Sequence, residues 1–167
     1  MSADDFEPER ILEVLDRHDV RYVLIGGMAA TLHGAAQITE DVDITPERSP
    51  DNLGRLLSAL AELDARVRTG AVQGGLAFSH DAASLAGADV WNLVTSFGNL
   101  DINYVPSGTG GYDDLVRDAI EIQVLGVTTM LASLADVVRS KEAAGRAKDL
   151  LALPTLRRLL DERYPQR

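Results

Sequence analysis

Asp41 and Asp43 stand one residue apart, a short segment downstream of the Gly26-Gly27 pair that ends the apolar run Tyr22-Val23-Leu24-Ile25. In an extended strand side chains alternate between faces, so the two carboxylates point the same way while Val42 and Ile44 point into a core. Like charges on one face repel each other unless a cation lies between them. A hard divalent ion, Mg²⁺ or Mn²⁺, suits such a pair, because it takes carboxylate oxygens and keeps positions open for substrate phosphates. The paired glycines supply backbone N–H groups, and a helix after them points its positive end the same way, which makes a phosphate cradle. Strand, tight turn, helix and strand must therefore follow in quick succession. The chemistry implied is phosphoryl or nucleotidyl transfer.

Gly26-Gly27, then 13 residues, then Asp41-Val42-Asp43 resembles the signature of the DNA polymerase beta-like nucleotidyltransferase superfamily. The finer spelling GGMAATLHGAAQITEDVDI is similar to the branch that holds the AbiEii and MenT toxins of toxin–antitoxin systems. Gly98-Asn-Leu-Asp101-Ile reads as the strand carrying that family's third carboxylate, and Ser140-Lys141 to Leu150 resembles its C-terminal Lys/Arg/Asp helix motif. The resemblance spans roughly residues 6 to 160, weakest between 64 and 95.

It implies an α/β fold, a small nucleotidyltransferase with a mixed twisted sheet flanked by helices and a short C-terminal helical region. It also implies roles. Asp41, Asp43 and Asp101 would be metal ligands, with Asp101 helping to deprotonate the attacking hydroxyl. Gly26 and Gly27 would hold the β/γ-phosphates with help from Lys141. Arg146 and Lys148 would bind nucleotide, and Asp149 would join the catalytic set. The substrate would be an NTP, a pyrimidine being favoured, the acceptor the 3′ end of tRNA, and the partner a cognate antitoxin. Two departures stand out: Gln37 where the toxin branch commonly has an arginine, and Gly27 where many relatives have a serine.

The residues themselves support parts of this. Asp101 lies between Leu100 and Ile102 in an apolar strand, where an unpaired carboxylate would be costly. Lys141 is one of only two lysines, the other being Lys148, and a compact ammonium can neutralise charge on a triphosphate. Thr39 lies in phase with Asp41 and Asp43, so in an extended chain its hydroxyl shares their face, although most such threonines satisfy backbone groups. His33 reads as a helix-end packing residue and Trp91 as core. The loop Ser107-Gly-Thr-Gly-Gly111 lacks the GK[ST] of a Walker motif and reads as a turn.

Composition removes other classes. The 167 residues form one domain by length, a core over about 6–130 followed by helices over about 133–164. The chain has no cysteine, which rules out disulfides, thiolate zinc sites and cysteine nucleophiles. It has no run of eighteen apolar residues, and its start, Met-Ser-Ala-Asp-Asp, is acidic, so a cytoplasmic protein without membrane contact is expected. The net charge of −10 suits nucleic acid poorly. Its distribution is uneven, however: residues 133–167 carry 8 Lys and Arg against 5 Asp and Glu, and the rest 8 against 21. A basic C-terminal region beside an acidic metal pocket suits a nucleotide and an RNA end better than a long RNA surface.

Along the chain, an apolar stripe after Pro8 predicts a first helix, and 21–25 a strand. Met28–Leu32 is read as a helix ending at Gly34, and Ser49-Pro50-Asp51 as an N-cap opening another. Strands are expected near 65–68, 76–79, 90–95 and 99–104, a short helix over 112–120, and a single strand over 121–128. Ser133 should cap a helix broken at Gly145, and a last helix over 148–163 should kink or split at Pro154. The same core would also serve transfer to a small molecule of aminoglycoside type or to a protein hydroxyl. Non-catalytic readings are an antitoxin-like module or a nucleotide sensor.

Overall fold

The computed structural model describes residues 5–165; the acidic start read above falls largely in residues 1–4, outside them. The chain runs α1 (Pro8–Arg17), β1 (Tyr22–Ile25), α2 (Gly26–Leu32), β2 (Asp41–Pro46), α3 (Pro50–Glu62), β3 (Arg66–Val67) and β4 (Leu76–Ala77). It continues through α4 (Ala82–Leu85), β5 (Val90–Thr95), β6 (Gly98–Asn103), α5 (Tyr112–Asp118), β7 (Ile120–Val124) and β8 (Val127–Leu131). Two helices follow, α6 (Leu134–Ala144) and α7 (Ala147–Arg163). The strands form one mixed sheet in the order β4-β3-β5-β6-β2-β1-β8-β7.

The strand bearing Asp41 and Asp43 is central. It pairs antiparallel with β1 and parallel with β6. Alternation then sorts its residues: Val42 and Ile44 are fully buried, as are Leu24, Leu100 and Ile102 on the neighbouring strands. Ile11, Leu12 and Leu15 of α1 cover that apolar face, the stripe expected from their spacing. Burial of this kind contributes roughly 1.5–3 kcal/mol per large side chain.

Local signals account for the helix starts. Ser49 accepts a hydrogen bond from the Asn52 N–H with Pro50 in the first turn, and Ser133 accepts one from the Asp136 N–H. Asn52 is itself buried and ties α3 to the chain on either side of the sheet's centre. Its Oδ1 accepts from the Arg21 N–H at 2.7 Å, while its Nδ2 donates to the carbonyls of Arg21 and Glu47 at 2.9 and 2.7 Å.

Two expectations are corrected. The single strand over 121–128 is the hairpin of β7 and β8, which turns at Leu125 and Gly126, both at positive φ. Two successive left-handed residues make the tight turn that matches strand twist, but leucine rarely occupies such a position, so the sequence carried only half the usual turn signal. The last helix neither stops nor splits at Pro154. The Leu150 carbonyl that loses its N–H partner there lies on a side where Leu150 and Leu151 are exposed, so water can take the bond. Between β4 and β5, where no element is expected from the sequence, lies the one-turn α4, capped by the Asp81 carboxylate accepting from the Ser84 N–H.

Candidate active site

β2 and β6 lie side by side with Asp43 directly opposite Asp101, and Asp41 opposite Asn99. Residues opposite one another in a sheet share a face, so Asp41, Asp43 and Asp101 project together. They form the floor of an open cavity of about 1160 Å³. All ten residues singled out from the sequence line it: Gly26, Gly27, Thr39, Asp41, Asp43, Asp101, Lys141, Arg146, Lys148 and Asp149.

Gly26 has φ +70, and a Cβ there would lie 2.4 Å from the Asp43 Oδ2. Only glycine lets the end of β1 lie this close to the carboxylate. The Gly27 backbone N–H favours the charged form of the Asp43 carboxylate. Gln37, the departure from the family pattern, helps to hold that turn. Its Nε2 donates to the Gly27 carbonyl at 3.0 Å, which also accepts from the Thr31 hydroxyl at 3.0 Å. Thr39 precedes β2 and donates its hydroxyl to the Asp41 carbonyl at 3.0 Å, although it still lines the cavity.

Crowding of the acids has an electrostatic consequence. Burial, then the charges of Asp101 and Asp41, push the Asp43 carboxyl up to about 7, against the pull of Lys148 and the Gly27 N–H. Burial also raises Asp101, with Arg68 pulling it back and Asp41 adding to the rise. Among the described residues, no three carboxylate or imidazole groups converge closely enough to hold a metal ion as they stand. Mutual repulsion accounts for this, as does Arg68, whose Nη2 donates to the Asp101 Oδ1 at 2.9 Å while its Nη1 lies 3.9 Å from the Asp41 Oδ1. The donor set nonetheless fits a hard divalent ion: three carboxylates on one face, against the single guanidinium of Arg68.

The C-terminal helices supply the cations, but most are spoken for. Asp149 is fully buried and accepts from Arg146 Nε at 2.7 Å, from the Arg146 backbone N–H at 3.2 Å and from Lys141 Nζ at 3.4 Å. Burial works to raise its carboxyl, yet the bonds from Arg146 and Lys141 outweigh that and hold it below the usual carboxylate range. Asp149 therefore acts as an anchor for two cations. Arg139 pairs with Asp114 and Asp136, and Arg157 with Glu142. Among the described residues that line the cavity, Lys148 and Arg158 are cations with no ion pair.

His33 is buried against β8 as a packing residue. Its Nε2 donates to the Ala132 carbonyl at 2.7 Å and its Nδ1 accepts from Arg163 at 3.0 Å, which fixes the tautomer. Four further groups escaped the sequence reading: Arg68, Arg158, Asp136 and the role of Gln37. Arg158 was within reach, because Lys148, Leu151, Thr155 and Arg158 recur at helical spacing along the cavity-facing side of α7. Asp136 is buried on α6, lines the cavity, and has an Oδ2 without a hydrogen-bond partner. No helix among the described residues is long and apolar enough to cross a membrane.

No family model matches the chain, and no curated protein matches it. Solved structures do. The lincosamide antibiotic adenylyltransferase LnuA, in its lincomycin-bound form, aligns over 92% of this chain and 97% of its own, at 15% identity and a TM-score of 0.60. ANT(2″)-Ia in complex with adenylyl-2″-tobramycin aligns over 90% and 85%, at 15% identity and a TM-score of 0.54. JHP933 from Helicobacter pylori aligns over 97% and 68%, at 20% identity and a TM-score of 0.53. At such identities the likeness is one of fold: this chain has the α/β fold of the small nucleotidyltransferases.

Proposed function

We propose that this protein is a metal-dependent nucleotidyltransferase that moves NMP from an NTP to an acceptor hydroxyl. One juxtaposition carries the reading: Asp41, Asp43 and Asp101 on one face of adjacent strands, with the unpaired Lys148 and Arg158 in the same cavity. Acids alone suit a metal and cations alone suit an anion; together they suit a metal-bound polyphosphate. Asp41, Asp43 and Asp101 would hold Mg²⁺ or Mn²⁺, which when bound neutralises the acids and polarises the phosphate oxygens. Gly26, Gly27, Lys148 and Arg158 would bind the β/γ-phosphates, with Arg146, Thr39 and Lys141 beside them. The acceptor oxygen attacks the α-phosphorus in line, the bond to the bridging oxygen breaks, pyrophosphate leaves, and the hydroxyl proton passes to Asp101.

For the acceptor, the family resemblance supports the 3′ end of tRNA, preference for a pyrimidine NTP, and a toxin's role beside a cognate antitoxin in the cytoplasm. A second reading, transfer to a small hydroxylated molecule, has its own support. Arg139, Lys141, Arg146 and Arg157 of the basic C-terminal region are paired with its own carboxylates, which leaves less charge for an RNA backbone. Asp136 moreover lines the cavity with a buried Oδ2 that has no hydrogen-bond partner, a carboxylate that favours a cationic acceptor nearby. The deciding experiment incubates the protein with each labelled NTP and Mg²⁺, in parallel with total RNA and with a panel of hydroxylated amines. Label in tRNA supports the first reading and label in a small product the second. Label in neither, with no pyrophosphate released, overturns nucleotidyl transfer.

Two substitutions test the parts. Lys148→Ala should weaken binding of a non-hydrolysable NTP analogue by roughly ten- to a hundredfold, the worth of one charge-assisted contact, while leaving Mn²⁺ binding nearly unchanged. Calorimetry checks both. Under the second reading, Asp136→Asn should raise KM for a cationic acceptor by about tenfold or more with KM for NTP unaltered. Equal KM values in wild type and variant would remove Asp136 from acceptor recognition.

A further inference from the structure

We propose that Arg68 is a built-in counter-cation of the acidic centre, and that it makes metal loading dependent on nucleotide. The proposal rests on the reading that Asp41, Asp43 and Asp101 hold a divalent ion. Arg68 follows the two-residue strand β3, and its backbone N–H is fixed on the Asn92 carbonyl of β5 at 2.9 Å. From there its side chain reaches across the sheet face to Asp101 at 2.9 Å and Asp41 at 3.9 Å. The register explains the reach, since Asn92, Asp101 and Asp43 stand in one row across β5, β6 and β2. Arg68 is the ion-pair partner of both outer carboxylates. Its Nη1 is buried without a hydrogen bond, so the guanidinium is held over the acids with one donor unsatisfied.

A buried donor without a partner is costly, and it marks an arrangement that further polar groups would complete. In the nucleotide-free protein the guanidinium offsets the repulsion of the three acids. A divalent ion arriving alone meets both a positive neighbour and a carboxylate oxygen already bonded. An ion arriving with a triphosphate brings negative charge that cancels that opposition. Arg68 thus lowers the affinity for bare metal and raises the coupling between metal and nucleotide, a positioning role outside the bond-making step.

The test is Mn²⁺ titration by calorimetry, without nucleotide, of wild type, Arg68→Gln and Arg68→Lys. Arg68→Gln should bind Mn²⁺ roughly tenfold or more tightly than wild type, because a unit charge has left the ion's surroundings, and Arg68→Lys should stay close to wild type. The Mn²⁺ affinity gained on adding a non-hydrolysable NTP should shrink in Arg68→Gln. In wild type alone, the Arg68 side-chain N–H resonance, identified by its loss in Arg68→Lys, should move on addition of Mg²⁺. Unchanged or weaker Mn²⁺ binding in Arg68→Gln overturns the proposal, as does a resonance that ignores Mg²⁺. Tighter Mn²⁺ binding in a protein that transfers no nucleotide would uphold Arg68 and sink the transferase reading; active transfer with unaltered Mn²⁺ binding would do the reverse.

Discussion

Asp43→Asn should melt well above wild type at pH 8, by on the order of 5–10 °C, and almost level with it near pH 3.5, both measured without metal. The sign follows from linkage. Asp43 has a folded-state pKa of about 7, raised first by burial and then by Asp101 and Asp41, so the folded protein holds that proton to higher pH than the unfolded chain. Stability from this group is therefore present in acid and lost as pH climbs towards 7. The full effect is on the order of 2–4 kcal/mol, and asparagine, which cannot ionise, escapes it. Other carboxylates titrate in both variants, so the difference between the melting curves isolates this one. A gap that did not widen with pH would mean that the Asp43 carboxylate is not under strain. The same substitution should abolish transfer, stability rising as function disappears.

Asp149→Ala should do the opposite, costing about 3–5 kcal/mol whether or not metal or nucleotide is present. The carboxylate is fully buried, and its removal strands Lys141, whose side chain is only 11% exposed. Arg146, at 62%, can return to water. Most of the loss should therefore be recovered by adding Lys141→Met, which takes away the orphaned charge, and hardly at all by adding Arg146→Met. Thermal melts of the single and double variants form the required cycle. A loss below about 1 kcal/mol in Asp149→Ala would show that the cluster is solvated and that the buried pair is not what docks α7.

Much of the site was legible because its signals are local. The glycine pair, the alternating acids and the Ser49 and Ser133 caps each depend on neighbours within a few residues, and the structure has the corresponding turn, strand and helix starts. Arg68 was not legible. It sits beside a strand of two residues, too short for a periodic pattern, and its partners lie two strand pairings away at Asp101 and three at Asp41. Lys141 has a contact that the sequence does not show. A lone lysine on a helix reads as a ligand for phosphate, and only the fold reveals the Asp149 carboxylate beside it. The β7–β8 hairpin was misread for a third reason: alternation carries on through Leu125, and nothing but backbone geometry marks the reversal there.

The carboxylates of the centre all come from the segment ending at Asp101, and the cations that line the cavity from Lys141 onward. What joins them is the docking of α6 and α7, seen in the Arg163 bond to His33 and the Leu159 side chain against Gly34. A chain still emerging from the ribosome therefore has its acids, and Arg68 among them, long before the cations that line the cavity. During that interval it is a weak cation binder with no hold on a nucleotide. The exposed left-handed Gly145 between the two helices gives proteolysis a place to reverse the process. A single cut there would leave the arm that carries Lys148 and Arg158 held only through the buried Asp149, Leu153 and Leu156: chemical competence comes late in synthesis and hangs on the last helix staying docked.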